Sequence, residues 1–239
     1  MLLEVAGLSR SFGQLRVIEN LSLAVSPGEV LGIIGPNGAG KSTLFNLIAG
    51  VLAPSAGVIR LAGRDITGLR SWDRCRLGIG RTYQVPRPFT HMSVYENVLV
   101  AAVHGGRASL RQGRRNAEAV LDVAGLAGHH ARSAGELTLL DLKRLELCKA
   151  LAVAPKLLLL DEIAGGLTEP ECAALLGIVG KAQSPDMAVI WIEHVVQALR
   201  RIATRIAVLH GGSVLAEGAP DAVLADPRVQ EIYLGTEGR

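Results

Sequence analysis

Two hydrophobic rhythms run along the chain. Val30-Leu31-Gly32-Ile33-Ile34 is an unbroken apolar run, as a parallel strand buried on both faces requires. Leu21, Leu23 and Val25 alternate with polar or small neighbours instead, which predicts a half-exposed antiparallel strand over 17–25 beside the parallel core. Strands are also expected over 2–5 and 58–61, set apart by turns such as Pro27-Gly28. After Ile34, the residues Leu44, Leu47 and Ile48 recur at helical spacing, and Gly50 is placed to cap the helix end. The character changes around Thr82-Tyr83-Gln84, where Pro86 and Pro88 break the chain. Ser93-Val94-Tyr95-Glu96 is a capping box opening a helix to about residue 103, and helices over Leu110–Val123 and 139–153 follow. Alternation then resumes with strand Leu157–Asp161, helix 171–182, strand Ala188–Ile192, helix 195–202 and strand 205–209. Gly211-Gly212 predicts a hairpin to a strand over 213–216, and short helices start after Ala219-Pro220 and Asp226-Pro227. The pattern is that of an α/β core interrupted by a helical insertion.

The loop between the Val30–Ile34 strand and its helix carries the chemistry. Gly35-Pro36-Asn37-Gly38-Ala39-Gly40-Lys41-Ser42-Thr43 matches the phosphate-binding pattern G-x-x-x-x-G-K-[ST]. Glycines let successive backbone N–H groups converge on phosphate oxygens, and the following helix offers its positive end. Lys41 has the reach for the β- and γ-phosphates, and the Ser42 hydroxyl suits Mg²⁺. A second signal is Leu157-Leu158-Leu159-Leu160-Asp161-Glu162, four apolar residues of a central buried strand that end in two acids. Acids at the carboxyl end of such a strand land beside the phosphates, Asp161 to hold Mg²⁺ and Glu162 to activate the attacking water. These motifs imply binding and hydrolysis of a nucleoside triphosphate. The expected architecture is a P-loop nucleotide-binding core with an antiparallel β subdomain and an inserted α-helical subdomain. Within one domain over 1–239, residues 1–87 and 154–239 form the core with its β subdomain, and 88–153 the helical part.

Composition narrows the partners. With 49% hydrophobic and 20% charged residues the 239-residue chain is globular. A net charge of +3 and 3% aromatics argue against a nucleic-acid partner, which would call for a basic stripe or stacking platforms. Arg107, Arg111, Arg114 and Arg115 form a local exception, read as a solvated helix face. Cys75, Cys148 and Cys172 lack zinc or redox spacing and fit a reducing cytoplasm. Met1-Leu2-Leu3-Glu4 does not open a signal peptide, and no apolar run approaches the roughly 20 residues a membrane span needs.

The order of these motifs resembles the ATP-binding subunit of an ABC transporter over nearly the whole chain. The resemblance implies that Phe12, in Ser9-Arg10-Ser11-Phe12-Gly13, stacks on adenine. It implies that Gln84, at the end of its strand, reaches Mg²⁺ and the attacking water, and that His194 touches the γ-phosphate. Arg81-Thr82-Tyr83-Gln84, Lys143-Arg144-Leu145-Glu146-Leu147, Ile192-Glu193-His194 and Tyr233-Leu234-Gly235 are similar to ATPases of branched-chain amino acid importers. The implied cofactors are ATP and Mg²⁺. The implied partners are transmembrane permease subunits, a second ATPase subunit and, indirectly, a periplasmic or extracellular solute-binding protein. The implied location is peripheral, on the cytoplasmic face of the cell (inner) membrane. Rival readings are a non-transport ABC ATPase and a weakly hydrolytic regulatory subunit.

The pattern also breaks. The family signature Leu-Ser-Gly-Gly-Gln grips the γ-phosphate bound to the other subunit, and the aligned residues here are Leu137-Thr138-Leu139-Leu140-Asp141. Thr138 keeps a hydroxyl and is a reasonable N-cap, but Asp141 brings negative charge unless it turns away or meets Lys143 or Arg144. Ile163 stands where proline is usual, and Gly165-Gly166-Leu167-Thr168 lacks a terminal aspartate, Thr168 being placed instead to cap the next helix with Glu171. Two outcomes are open: an asymmetric heterodimer, or a working variant signature in a homodimer.

Overall fold

The computed structural model describes residues 1–194 and 196–234, the side chains at 233 and 234 excepted. In chain order, β1 (Leu3–Phe12) and β2 (Leu15–Val25) form a hairpin, and β3 (Val30–Ile34) leads into α1 (Lys41–Ile48). Next come β4 (Ala56–Leu61), β5 (Arg64–Asp65), α2 (Ser71–Arg76) and β6 (Ile79–Arg81). The insertion holds α3 (Val94–Val100), which runs on as a π-helix over Ala101–Gly105, then α4 (Leu110–Val123) and α5 (Leu139–Ala152). The remaining elements are β7 (Leu157–Asp161), α6 (Glu169–Ala182), β8 (Ala188–Ile192), α7 (Val196–Ile202), β9 (Arg205–His210), β10 (Ser213–Gly218), α8 (Pro220–Leu224) and α9 (Pro227–Leu234).

The strands form two sheets. The antiparallel one has the order β2-β1-β4-β5. The larger one has the order β10-β9-β3-β8-β7-β6 and is parallel except at β10. Its unbroken apolar runs follow from burial on both faces. Leu158, Leu160, Val189, Trp191, Ile206 and Val208 pack on the side of the inserted helices, α6 and α7. Leu157, Leu159, Ile190, Ile192, Ala207 and Leu209 pack on the other side, with α1 and the antiparallel sheet. Burial of each such leucine or isoleucine contributes about 1.5–3 kcal/mol. The Leu157–Asp161 strand is interior rather than central, because β6 alone lies outside it and β8 separates it from β3.

Most predicted elements are present, with instructive differences. β1 runs to Phe12 instead of stopping near residue 5, and its pairing with β2 shifts register between Val5 and Ser11, which erases the alternation a regular strand would show. β6 ends at Arg81, so Gln84 lies three residues beyond its strand rather than at its end. The short α2 escaped the hydrophobic pattern, yet it supplies Arg74, only 1% exposed. Its guanidinium donates to Leu47 O, Ile48 O, Leu69 O and Thr67 O at 2.6–3.0 Å, satisfying carbonyls at the end of α1. Gly50, expected as the cap of that helix, has φ 73° and leaves the room Arg74 occupies, since a Cβ there would lie 2.7 Å from its Nε. Both predicted capping boxes form: Ser93 N–H donates to Glu96 Oε2 and Thr168 N–H to Glu171 Oε2, each at 2.8 Å. Residue 195, Gly235 and the side chains of Tyr233 and Leu234 lie outside the described residues.

Candidate active site

The phosphate-loop segment turns at the carboxyl end of β3, where an open parallel sheet leaves a crevice. Gly40 has φ 99°, and a Cβ there would fall 2.8 Å from Val17 O and 2.7 Å from Ile18 Cδ1 of β2. Gly35 is tighter still, with Leu209 O 2.2 Å from any Cβ. The loop is thus held by backbone on both flanks, which keeps a narrow cradle of N–H groups at the start of α1. Asn37, Gly38 and Ser42 are exposed, while Ala39 and Lys41 are buried. Lys41 Nζ donates to Gly35 O at 2.7 Å and Pro36 O at 3.0 Å, arching over the loop. Burial lowers its pKa below the usual lysine value, against the pull of Glu162 and Asp161.

Three loops converge beside it. Glu162 follows β7, Gln84 follows β6 and His194 follows β8. Gln84 Nε2 donates to Glu162 Oε2 at 2.5 Å, and His194 Nε2 lies 2.8 Å from Glu162 Oε1. Both carboxylate oxygens are therefore engaged by residues far away in sequence. Glu193, 2% exposed, accepts from Ala164 N–H at 2.8 Å and Trp191 Nε1–H at 3.3 Å, tying the turn after Glu162 to β8.

Asp161 is buried and its Oδ2 lies 3.0 Å from Arg81 Nη2. Burial raises its pKa above the usual aspartate value, and Arg81 opposes that shift. Arg81 also donates to Asn46 Oδ1 of α1 at 2.7 Å, with its guanidinium 5.1 Å from the Tyr83 ring centroid. Ser42, Gln84 and Asp161 offer oxygen donors, which suit a hard cation such as Mg²⁺. Among the described residues no group of three His, Cys, Asp or Glu side chains gathers for a metal, so a cation here would complete its shell with phosphate and water oxygens.

Phe12 ends β1, 43% exposed, with the Arg10 guanidinium 4.7 Å from its ring centroid. The contact of Val17 and Ile18 with Gly40 brings its hairpin alongside the phosphate loop. Thr138 is not joined to the Glu162 cluster. It caps α5, its hydroxyl accepting from Asp141 N–H at 3.2 Å and donating to Asp141 Oδ2 at 3.0 Å. Asp141 meets Arg144 at 3.3 Å, whereas Lys143 turns the other way.

Sequence reasoning passed over the face of α5 that holds the Gln84 loop. Lys143 donates to Gln84 O at 2.7 Å, Glu146 accepts from Arg87 N–H at 3.2 Å and Lys149 donates to Arg87 O at 2.6 Å. The spacing of i, i+3 and i+6 puts all three on one helix face. Charges recurring at that period within a helix flanked by apolar residues were the available signal.

Proteins similar to this chain in sequence and in shape include ATP-binding proteins of transport systems. Residues 18–165 match the ABC transporter family, and residues 213–239 match the family described as branched-chain amino acid ATP-binding cassette transporter. The chain is 35% identical to the high-affinity branched-chain amino acid transport ATP-binding protein BraF of Pseudomonas aeruginosa over 98% of each chain, and equally so to LivG of Escherichia coli K12. It is 32% identical to the lipopolysaccharide export system ATP-binding protein LptB of Acidithiobacillus ferridurans over 99% of this chain and 98% of that one. A solved ATP-binding cassette of an ABC transporter in its ADP conformation superposes with a TM-score of 0.89 at 29% identity, covering 98% of both chains.

Proposed function

The chain belongs to the ABC transporter family as an ATP-binding subunit, an ATPase, and we propose that it powers import of a branched-chain amino acid or a related small polar solute. LptB shows in its name that cargo varies among relatives of this similarity, so the match over residues 213–239 supports the cargo reading most directly. The observation that carries the catalytic reading is the Glu162 carboxylate, held by Gln84 and His194 next to Lys41.

In this reading Gly35, Asn37, Gly38, Ala39, Gly40, Ser42 and Thr43 wrap the phosphates with backbone N–H groups and hydroxyls, and Pro36, which has no N–H, completes the loop that binds them. Lys41 exchanges its loop carbonyls for phosphate oxygens, and Phe12 stacks on adenine. Glu162 orients the attacking water and accepts its proton, Gln84 shares that water, and His194 contacts the γ-phosphate. Mg²⁺, held by Ser42, Gln84 and Asp161, would supply neutralisation of phosphate charge. Residues 1–87 and 154–239 act as the core with its β subdomain, and 88–153 as a helical subdomain.

The chain would work on the cytoplasmic face of the membrane as a peripheral subunit, with permease subunits, a second ATPase subunit and an external solute-binding protein. No helix among the described residues is long and apolar enough to cross a membrane. A cleft of about 250 Å³ lined by Trp72, Cys75, Arg81 and Tyr83, with Val85 and Phe89 exposed nearby, supports permease docking beside Gln84. Asp141 supports an asymmetric pair of ATPase chains: its carboxylate already occupies the Thr138 hydroxyl at the N-terminus of α5. The test is E162Q protein with Mg·ATP. Retained binding with turnover nearly abolished is expected, and normal turnover would remove Glu162 from its role. In the same sample a persistent monomer supports a distinct second ATPase chain, and an ATP-dependent dimer of this chain alone refutes it.

A further inference from the structure

Lys143 lies on α5, 4% exposed. Its ammonium donates to Gln84 O at 2.7 Å and reaches Glu162 O at 3.4 Å. Taking an ammonium out of water costs several kcal/mol even when it is paired. An apolar side chain of the same length would fill the space without that cost, so packing alone does not call for a charge here. The charge instead binds two backbone carbonyls whose residues also touch through their side chains, Gln84 Nε2 to Glu162 Oε2.

The second carbonyl belongs to a constrained residue. Glu162 has φ 46°, a left-handed conformation that costs a residue with a Cβ about 1–2 kcal/mol. In it the Glu162 carbonyl meets Lys143 and accepts from Gly165 N–H at 3.3 Å, while the Glu162 N–H donates to Ile192 O at 2.9 Å. A return to ordinary φ would rotate the carboxylate away from Gln84 and His194.

We propose that Lys143 is a positioning residue for ATP hydrolysis, which from the inserted helix fixes the Gln84 and Glu162 backbones so that the Glu162 carboxylate stays between Gln84 and His194. The inference rests on the role proposed above for Glu162. It gives the insertion a direct hold on the site, since a shift of α5 against the sheet acts first on the 2.7 Å bond to Gln84 O.

The experiment measures steady-state turnover of the assembled transporter and Mg·ATP affinity of the purified chain, for K143M, K143R and E162Q. K143M keeps affinity within about threefold of wild type while turnover falls about tenfold or more, the cost of a misplaced catalytic group. K143R, which retains donors on a long stem, recovers a large part of the lost turnover. Wild-type turnover in K143M, a parallel loss of affinity and turnover, or a K143R protein as slow as K143M would each overturn the proposal. Should K143M fail to fold, K143Q, whose amide is too short to span both carbonyls, is read by the same criteria. Normal turnover in E162Q would instead overturn the reading on which the proposal rests.

Discussion

Replacing Arg81 with methionine should leave the fold with a buried, unpaired aspartate, and the cost can be worked from the site. The two side chains are 11% and 9% exposed and 3.0 Å apart. At an effective dielectric of 20 their attraction is about 5.5 kcal/mol before desolvation. Breaking such a pair by removing one partner typically costs about 3–5 kcal/mol, and the lost bond to Asn46 adds about 1 kcal/mol. D161N removes the opposite charge together with its desolvation penalty and should cost far less, under about 1 kcal/mol, because Arg81 keeps Asn46 and the Tyr83 ring. The double variant R81M/D161N should therefore be more stable than the sum of the single losses allows, by about 2 kcal/mol or more. Denaturant midpoints without nucleotide give the three values. Acidification supplies a second reading. Burial already raises the Asp161 pKa above 3.8, so its ionised form destabilises the fold at neutral pH, and that penalty disappears as the pH falls through the folded value toward 3.8. Loss of Arg81 enlarges the penalty, so the gap between R81M and wild type should narrow on acidification, whereas D161N should show no such narrowing. Additivity of the two substitutions within about 0.5 kcal/mol would refute the pairing as an energetic unit.

Two further outcomes follow from groups outside the reaction. Arg74→Met removes a donor from four backbone carbonyls, of which Leu47 O keeps the Gly50 N–H, and should cost about 3–5 kcal/mol, a fall in Tm of roughly 10 °C by calorimetry for a chain of this size. Hydrogen bonds from Ser93 to Glu96 and from Thr168 to Glu171, the backbone bond first in each, hold both carboxyls below the usual glutamate value of 4.5. Their stabilisation is present above pH 4.5 and lost as pH falls through the lowered folded values, so the Tm advantage of wild type over E96Q/E171Q should shrink below pH 4.5. An advantage that stays constant across that range would show that the charge is irrelevant to the caps.

What the sequence revealed depended on how local the physics is. A strand buried on both faces writes itself as an unbroken apolar run, and β3, β7 and β8 have the bounds their runs predict. Capping boxes are equally local, so Ser93 with Glu96 and Thr168 with Glu171 were readable residue by residue. The glycines of the phosphate loop were legible as a spelling, but their reason is not local: Gly35 faces Leu209 O and Gly40 faces Val17 O. β1 was cut short because bulges disturb its period, and α2 was missed because six polar-rich residues carry no face.

Three cations whose structural roles were not legible share one property. Arg74 and Lys143 are buried cations and Arg81 a half-buried one, and their partners lie at the ends of other elements, 27, 59 and 80 residues away for Leu47, Gln84 and Asp161. Composition reads such residues as surface, and no short window contains both halves of the interaction. Each binds a place where backbone or carboxylate calls for a donor: the end of α1, the acid closing β7, and the Gln84 carbonyl beside Glu162. The last two lie beside the phosphate cradle and the first at the far end of α1 from it, so the site rests on Arg81 and Lys143 as well as on the glycine motif that announces it. Because unpairing either leaves a desolvated group behind, substitutions at Arg81 and Lys143 should damage the site more than equal changes of volume in the leucine layers around it.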